Sequence, residues 1–130
     1  MQDLGVLDST WGGSLADMVR FTQEWRIVEN ERLLEQVPAK TQCLVTGLHA
    51  LQRQHPELIG NVRGLGLYQG FTLKPPVKKS AFIEAALNRE NLLLMGAGTA
   101  SIRLRPNLNV TETDIGSLLT MLDRLLASFA

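Results

Sequence analysis

The sequence has a single cysteine, Cys43, so no disulfide can form within it, and a reducing, cytoplasmic location is the simplest expectation. It has no net charge. Its 13 Lys+Arg are matched by 13 Asp+Glu, which removes any general electrostatic grip on nucleic acid or on an anionic membrane. No apolar run approaches the ~20 residues needed to span a bilayer. The first residues, "MQDLGVLD", are acidic and lack the basic and apolar regions of a signal peptide. Repeats and low-complexity tracts are absent. His49 and His55 stand six apart, on different faces of a helix, and no cysteine or carboxylate completes a metal set around them.

What is present is the ordinary make-up of a globular chain, 45% apolar and 20% charged over 130 residues. A chain of that length buries about two-thirds of the surface its unfolded form exposes, so it needs no covalent staple. The expectation is a single domain over 1–130, with 1–13 as a lead-in segment that ends in a glycine turn. Ser14 with Asp17 three places on reads as a helix N-cap and its first-turn acid. Leu15, Met18, Val19, Trp25 and Val28 then recur at helical spacing, which predicts a helix over about 15–29, with Arg20 and Glu24 as an i,i+4 charge pair. A second, longer helix is predicted up to about Gln54. Pro38 lies in its path, so either the helix proper starts there or it carries a kink.

At "NVRGLGLYQGFTL" the period changes to two. Leu65, Leu67, Phe71 and Leu73 alternate with Gly64, Gly66 and Gly70, which reads as one strand with a bare face. After the loop "KPPVKKS", Ser80 reads as the cap of a short helix over about 81–90. "LLLM" and "SIRLR" read as strands joined by the hairpin-length loop "GAGTA". Thr111 with Asp114 repeats the capping-box pattern ahead of a strong stripe from Ile115 to Phe129. The fold class expected is α+β: a small, largely antiparallel sheet with helices packed on one face.

Few residues suggest chemistry. Gly64, Gly66 and Gly70 miss the spacing of a dinucleotide fingerprint and lie inside a strand pattern, so they read as structural. Cys43 reads as a small core residue of the long helix. Strand alternation sets Arg103 and Arg105 on one face, opposite Ile102 and Leu104. That is either a solvated strand face or a fork for a carboxylate. Ser9 and Thr10, followed by Gly12 and Gly13, are either a turn into the helix cap or a seat for a phosphate at the positive end of a helix.

Taken together and in order, "STWGGSLADMVR", "VRGLGL" and "SIRLRPNLNVTETDI" resemble the C-terminal part of class III pyridoxal-phosphate aminotransferases, and within that family the lysine ε-transaminating members. The resemblance covers nearly the whole chain. It implies the small domain of a fold-type I enzyme, a homodimer with active sites at the subunit interface, and pyridoxal 5'-phosphate as cofactor. It also implies that Thr10, with Ser9 beside it, bonds the phosphate of the cofactor held by the neighbouring subunit. Arg103 matches the arginine that binds the substrate α-carboxylate or pairs with an acidic residue, and Arg105 matches an arginine of the lysine-specific members. The implied reaction moves the ε-amino group of L-lysine to 2-oxoglutarate. Departures are Ser14 where asparagine is usual, "RPNL" for a Pro-Pro pair, and the loop "KPPVKK".

The family's Schiff-base lysine and the aspartate on the pyridine nitrogen belong ahead of the first residue here. Lys40 reads as a surface position on the long helix, and Lys74, Lys78 and Lys79 lie in a loop. The chain is therefore expected to be inactive alone and to complete sites with a lysine-bearing cofactor domain. The alternatives are a freestanding noncatalytic dimerisation or interaction module of the same descent, or a truncated product without a role.

Overall fold

The computed structural model describes residues 12–75 and 77–130, and the chain divides into two compact units, Met1–Leu34 and Glu35–Ala130. In the first, helix α1 runs over Leu15–Asn30, and Ser14 caps it by accepting the Asp17 N–H at 3.3 Å. Arg20 pairs with Asp17 at 3.5 Å, one turn back, rather than with Glu24. The rings of Phe21 and Trp25 stack along one side. The helix closes at Glu31, and Arg32 takes a φ of 50°.

Helix α2 (Leu33–Gln54) passes through Pro38 without interruption, so the helix does not begin at the proline. Strands β1 (Ile59–Leu65) and β2 (Tyr68–Leu73) follow, then α3 (Lys79–Glu90), β3 (Met95–Ala97), β4 (Ser101–Leu104) and α4 (Glu112–Ala127). The four strands form one sheet in the order β1-β2-β4-β3, antiparallel at each pairing.

The segment expected as one strand over 61–73 is a hairpin. Gly66 and Leu67 make a two-residue turn between the paired Leu65 and Tyr68. The first turn residue must reach positive φ, and Gly66 does so at 55°. The reversal sends Leu65 outward, 87% exposed, instead of aligning it with Phe71 and Leu73. Inside the turn the amide of Gln69, only 4% exposed, donates to the Gly66 carbonyl at 2.7 Å. Two smaller differences concern caps and ends. Helix α3 starts at Lys79, and its N-cap, Lys78, makes no side-chain cap bond, so Ser80 lies within the helix. Of "LLLM", only Met95 enters a strand.

The core lies on one face of the sheet. Phe71 and Leu73 of β2 and Ile102 and Leu104 of β4 point into it. They meet Leu44, Leu48 and Leu51 of α2, Phe82 and Ala86 of α3, and Ile115, Leu122 and Leu126 of α4. Phe82 sits edge-on to Phe71 with centroids 6.4 Å apart, and Phe129 lies 5.7 Å from Phe82. Cys43 packs against this cluster as a partly buried, free thiol. Helix α4 is fixed at both ends. Thr111 and Asp114 form a reciprocal capping box, and these hydrogen bonds hold the Asp114 carboxyl below its ordinary pKa. At the other end Arg124 grips both oxygens of Glu90 on α3, lowering the Glu90 pKa and raising its own. Among the described residues no helix is long and apolar enough to cross a membrane.

Candidate functional site

The opposite face of the sheet carries the exposed polar and charged side chains of its strands. In an antiparallel sheet directly opposed residues share a face, and the register places Arg63, Gly70, Arg103 and Met95 in one row across all four strands. Thr72 and Ser101 form the next row, on the same side. Arg103 is therefore on the face away from the core, opposite the buried Ile102 and Leu104, as alternation predicts. Its guanidinium is exposed and makes no hydrogen bond or ion pair to any described residue.

Arg105 lies just past the end of β4, exposed. Arg103 and Arg105 both line a groove of about 450 Å³ whose other walls include Leu92, Leu94, Val110 and Leu118. The wall beyond β4 is anchored by a side chain that the sequence pattern misplaced. Lys40 is no surface residue. It is 6% exposed, and its Nζ donates to the Leu108 carbonyl at 2.9 Å. Turned inward from α2, it ties that helix to the segment following the arginine strand.

Arg63, which periodicity alone did not single out, is the second cation of the open face. Its Nη1 donates to the Asn61 carbonyl at 2.9 Å and to Thr72 Oγ1 at 3.2 Å. Its Nη2 reaches across β2 to Ser101 Oγ at 2.9 Å. Between the two arginines Gly70 leaves the row bare. A Cβ on Gly70 would stand 2.8 Å from the Ile102 carbonyl oxygen, so the strands pair as they do only because that position has no side chain. The signal for Arg63 was its place beside Gly64, but its register with Arg103 becomes visible only once the Gly66 turn is known.

Ser9 and Thr10 lie outside the described residues. What is described of their segment is the turn at Gly12 and Gly13 and the Ser14 cap. His55 bonds Asp123 Oδ1 at 2.7 Å, linking the end of α2 to α4. No set of three metal-ligating side chains is gathered among the described residues. Gly64, Gly66 and Gly70 belong to the β1–β2 hairpin, not to a strand-to-helix turn. Of the lysines, Lys40 donates to the Leu108 carbonyl, Lys74 to the Pro56 carbonyl and Lys79 to the Gly98 carbonyl, while Lys78 is the N-cap of α3. What this surface can do is bind carboxylate or another oxyanion.

A family model described as aminotransferase class-III matches residues 1–126. The chain is 36% identical over 122 residues to an L-lysine-epsilon aminotransferase of Amycolatopsis lactamdurans, covering 94% of this chain and 27% of that protein. It is 38% identical over 124 residues to an acetylornithine aminotransferase of Thermosynechococcus vestitus, covering 94% and 30%. Among solved structures, the N328A mutant of M. tuberculosis Rv3290c superposes with a TM-score of 0.86 at 29% identity, over 95% of this chain and 28% of that one. The chain thus spans less than a third of the curated relatives it matches.

Proposed function

This chain belongs to the class III aminotransferase family, and from that premise we propose that it is the C-terminal small domain of a pyridoxal-phosphate enzyme. That enzyme moves the ε-amino group of L-lysine to 2-oxoglutarate. Its partners are a lysine-bearing cofactor domain and a second subunit, with amino-acid and 2-oxo-acid substrates meeting between them in the cytoplasm. The observation that carries the reading is Arg103: an exposed guanidinium on the open sheet face, with no carboxylate among the described residues to pair with it. An arginine held on a strand presents a planar fork that matches a carboxylate in bidentate fashion. Lysine as the donor draws on the similarity to an L-lysine-epsilon aminotransferase.

The cofactor, when bound, supplies the electron sink for transamination. This chain's part is recognition. Arg103 orients the substrate by its carboxylate, and Thr10 with Ser9 donates hydroxyl hydrogen bonds to the cofactor phosphate. The commitment of Lys40, Lys74 and Lys79 to backbone carbonyls suits a chain that is inactive alone. It equally suits a freestanding noncatalytic module of the same fold.

The test uses the chain assembled with the lysine-bearing domain. Arg103→Gln is expected to raise KM for 2-oxoglutarate at least about tenfold, the weight of a charge-assisted hydrogen bond. Thr10→Ala is expected to weaken retention of pyridoxal phosphate while leaving KM for the oxo acid little changed. If neither substitution acts in its own column, the assignment of both residues fails.

A further inference from the structure

The open face of the sheet presents two arginines where one would suffice to grip a carboxylate. Arg63 and Arg103 occupy the same cross-strand row, separated only by Gly70. Two strand spacings put their backbones about 10 Å apart. Arg63 closes part of that gap by crossing β2 to bond Ser101, which lies two residues before Arg103 on the same face. Its three acceptors, the Asn61 carbonyl, Thr72 Oγ1 and Ser101 Oγ, are all neutral. A guanidinium has five N–H donors, so the bonds hold Arg63 in place and leave donors over.

No carboxylate of the described residues pairs with either arginine. Two like charges set on one face without a counter-ion among the described residues make a local positive field, which is relieved when an anion sits between them. The space for it is there. A cavity of about 130 Å³ is lined by Arg63, Tyr68, Gly70, Ser101 and Arg103. That is room for a carboxylate with a few waters at ~30 Å³ each. Gly70 forms a floor of bare backbone between the two arginines.

We propose that Arg63 is the second arm of a carboxylate site, gripping from the β1 side the group that Arg103 grips from β4, with Thr72 and Ser101 as positioning residues for it. The proposal rests on the carboxylate-binding role given to Arg103 above and adds a residue to that site. The carboxylate belongs either to the oxo-acid substrate or to an acidic side chain of the lysine-bearing domain.

Titration of the isotope-labelled chain with glutarate, followed by amide NMR at constant ionic strength, tests it. Saturable shifts at Gly70, Ser101 and Arg103 are expected. Arg63→Gln should weaken the binding about tenfold. Arg63→Lys, which keeps the charge but not the fork, and Ser101→Ala, which keeps Arg63 but frees it, should each weaken it by less. If Arg63→Gln and Ser101→Ala bind glutarate as the parent does while Arg103→Gln does not, Arg63 is only a structural tie and the proposal falls, with the role of Arg103 intact. If Arg103→Gln is also without effect, or the shifts never saturate, both fall. In the assembled enzyme, a raised KM for 2-oxoglutarate in Arg63→Gln marks the substrate as the source of the carboxylate. An unchanged KM with weaker association of the two pieces marks the acidic side chain. No change in either overturns the proposal.

Discussion

Replacing Gly70 by alanine tests the sheet and its open face together. Gly70 is on β2, between Arg63 of β1 and Arg103 of β4. The added methyl would lie 2.8 Å from the Ile102 carbonyl oxygen, and that neighbour is backbone in a paired strand, so it cannot swing away. Either β2 and β4 separate by a few tenths of an ångström or the pleat tilts, and overpacking of that kind costs about 1–3 kcal/mol. Alanine restricts the unfolded chain and recovers about 0.5–1 kcal/mol of this. The net expectation is a loss of about 1–2 kcal/mol.

Gly60→Ala is the control on the neighbouring strand. Its Cβ would meet only Lys74, at 2.9 Å from Cε, and that exposed stem can shift aside, at most exchanging its bond to the Pro56 carbonyl for water. That variant should be neutral or more stable by up to about 0.5–1 kcal/mol. Urea unfolding followed by far-UV circular dichroism reads both. With an m-value of about 1–3 kcal/mol/M, the two midpoints should separate by about 1 M. A Gly70→Ala midpoint equal to or above that of Gly60→Ala would refute the claim that β2 and β4 require the bare position.

Further expectations concern the core, the buried lysine and acid stability. Phe82→Ala removes a fully buried ring that touches both Phe71 and Phe129 and should lose about 3–5 kcal/mol in the same urea assay. Lys40→Met keeps the apolar stem but leaves the Leu108 carbonyl without its donor. About 1–3 kcal/mol should be lost, and amide exchange should quicken over residues 105–110. Asp114 and Glu90 have folded pKa values below their ordinary ones, so each adds stability that is fully present above the ordinary carboxylate range. That contribution fades as pH falls below about 4 toward the lowered folded values. Melting temperature against pH should therefore drop less steeply in Asp114→Asn and Glu90→Gln than in the parent, and parallel curves would deny the linkage.

Much of this fold is written in local signals. Ser14 with Asp17 and Thr111 with Asp114 mark helix starts through bonds that close within four residues, and both caps form as the spacing implies. The stripe from Ile115 to Leu126 likewise carries its own period, and its inner residues are buried. The hairpin was harder, because Gly64, Gly66 and Gly70 satisfy strand alternation as well as a turn, and only pairing partners decide between them. Arg63 was hidden for the same reason: its relation to Arg103 depends on a register that runs through three strands. Lys40 misled because a lysine on a helix is usually solvated. Its burial depends on a carbonyl 68 residues away, which no local pattern encodes. Arg103 was legible, since strand alternation alone puts it opposite Ile102.

On the function proposed above, this chain completes an aminotransferase it cannot replace. Lysine-dependent formation of glutamate from 2-oxoglutarate, with pyridoxal phosphate present, tests this directly when measured for the chain alone and for the chain mixed with the lysine-bearing domain. Turnover is expected in the mixture and none from the chain alone. Turnover by the chain alone, or a folded and associated mixture that does not turn over, would contradict it.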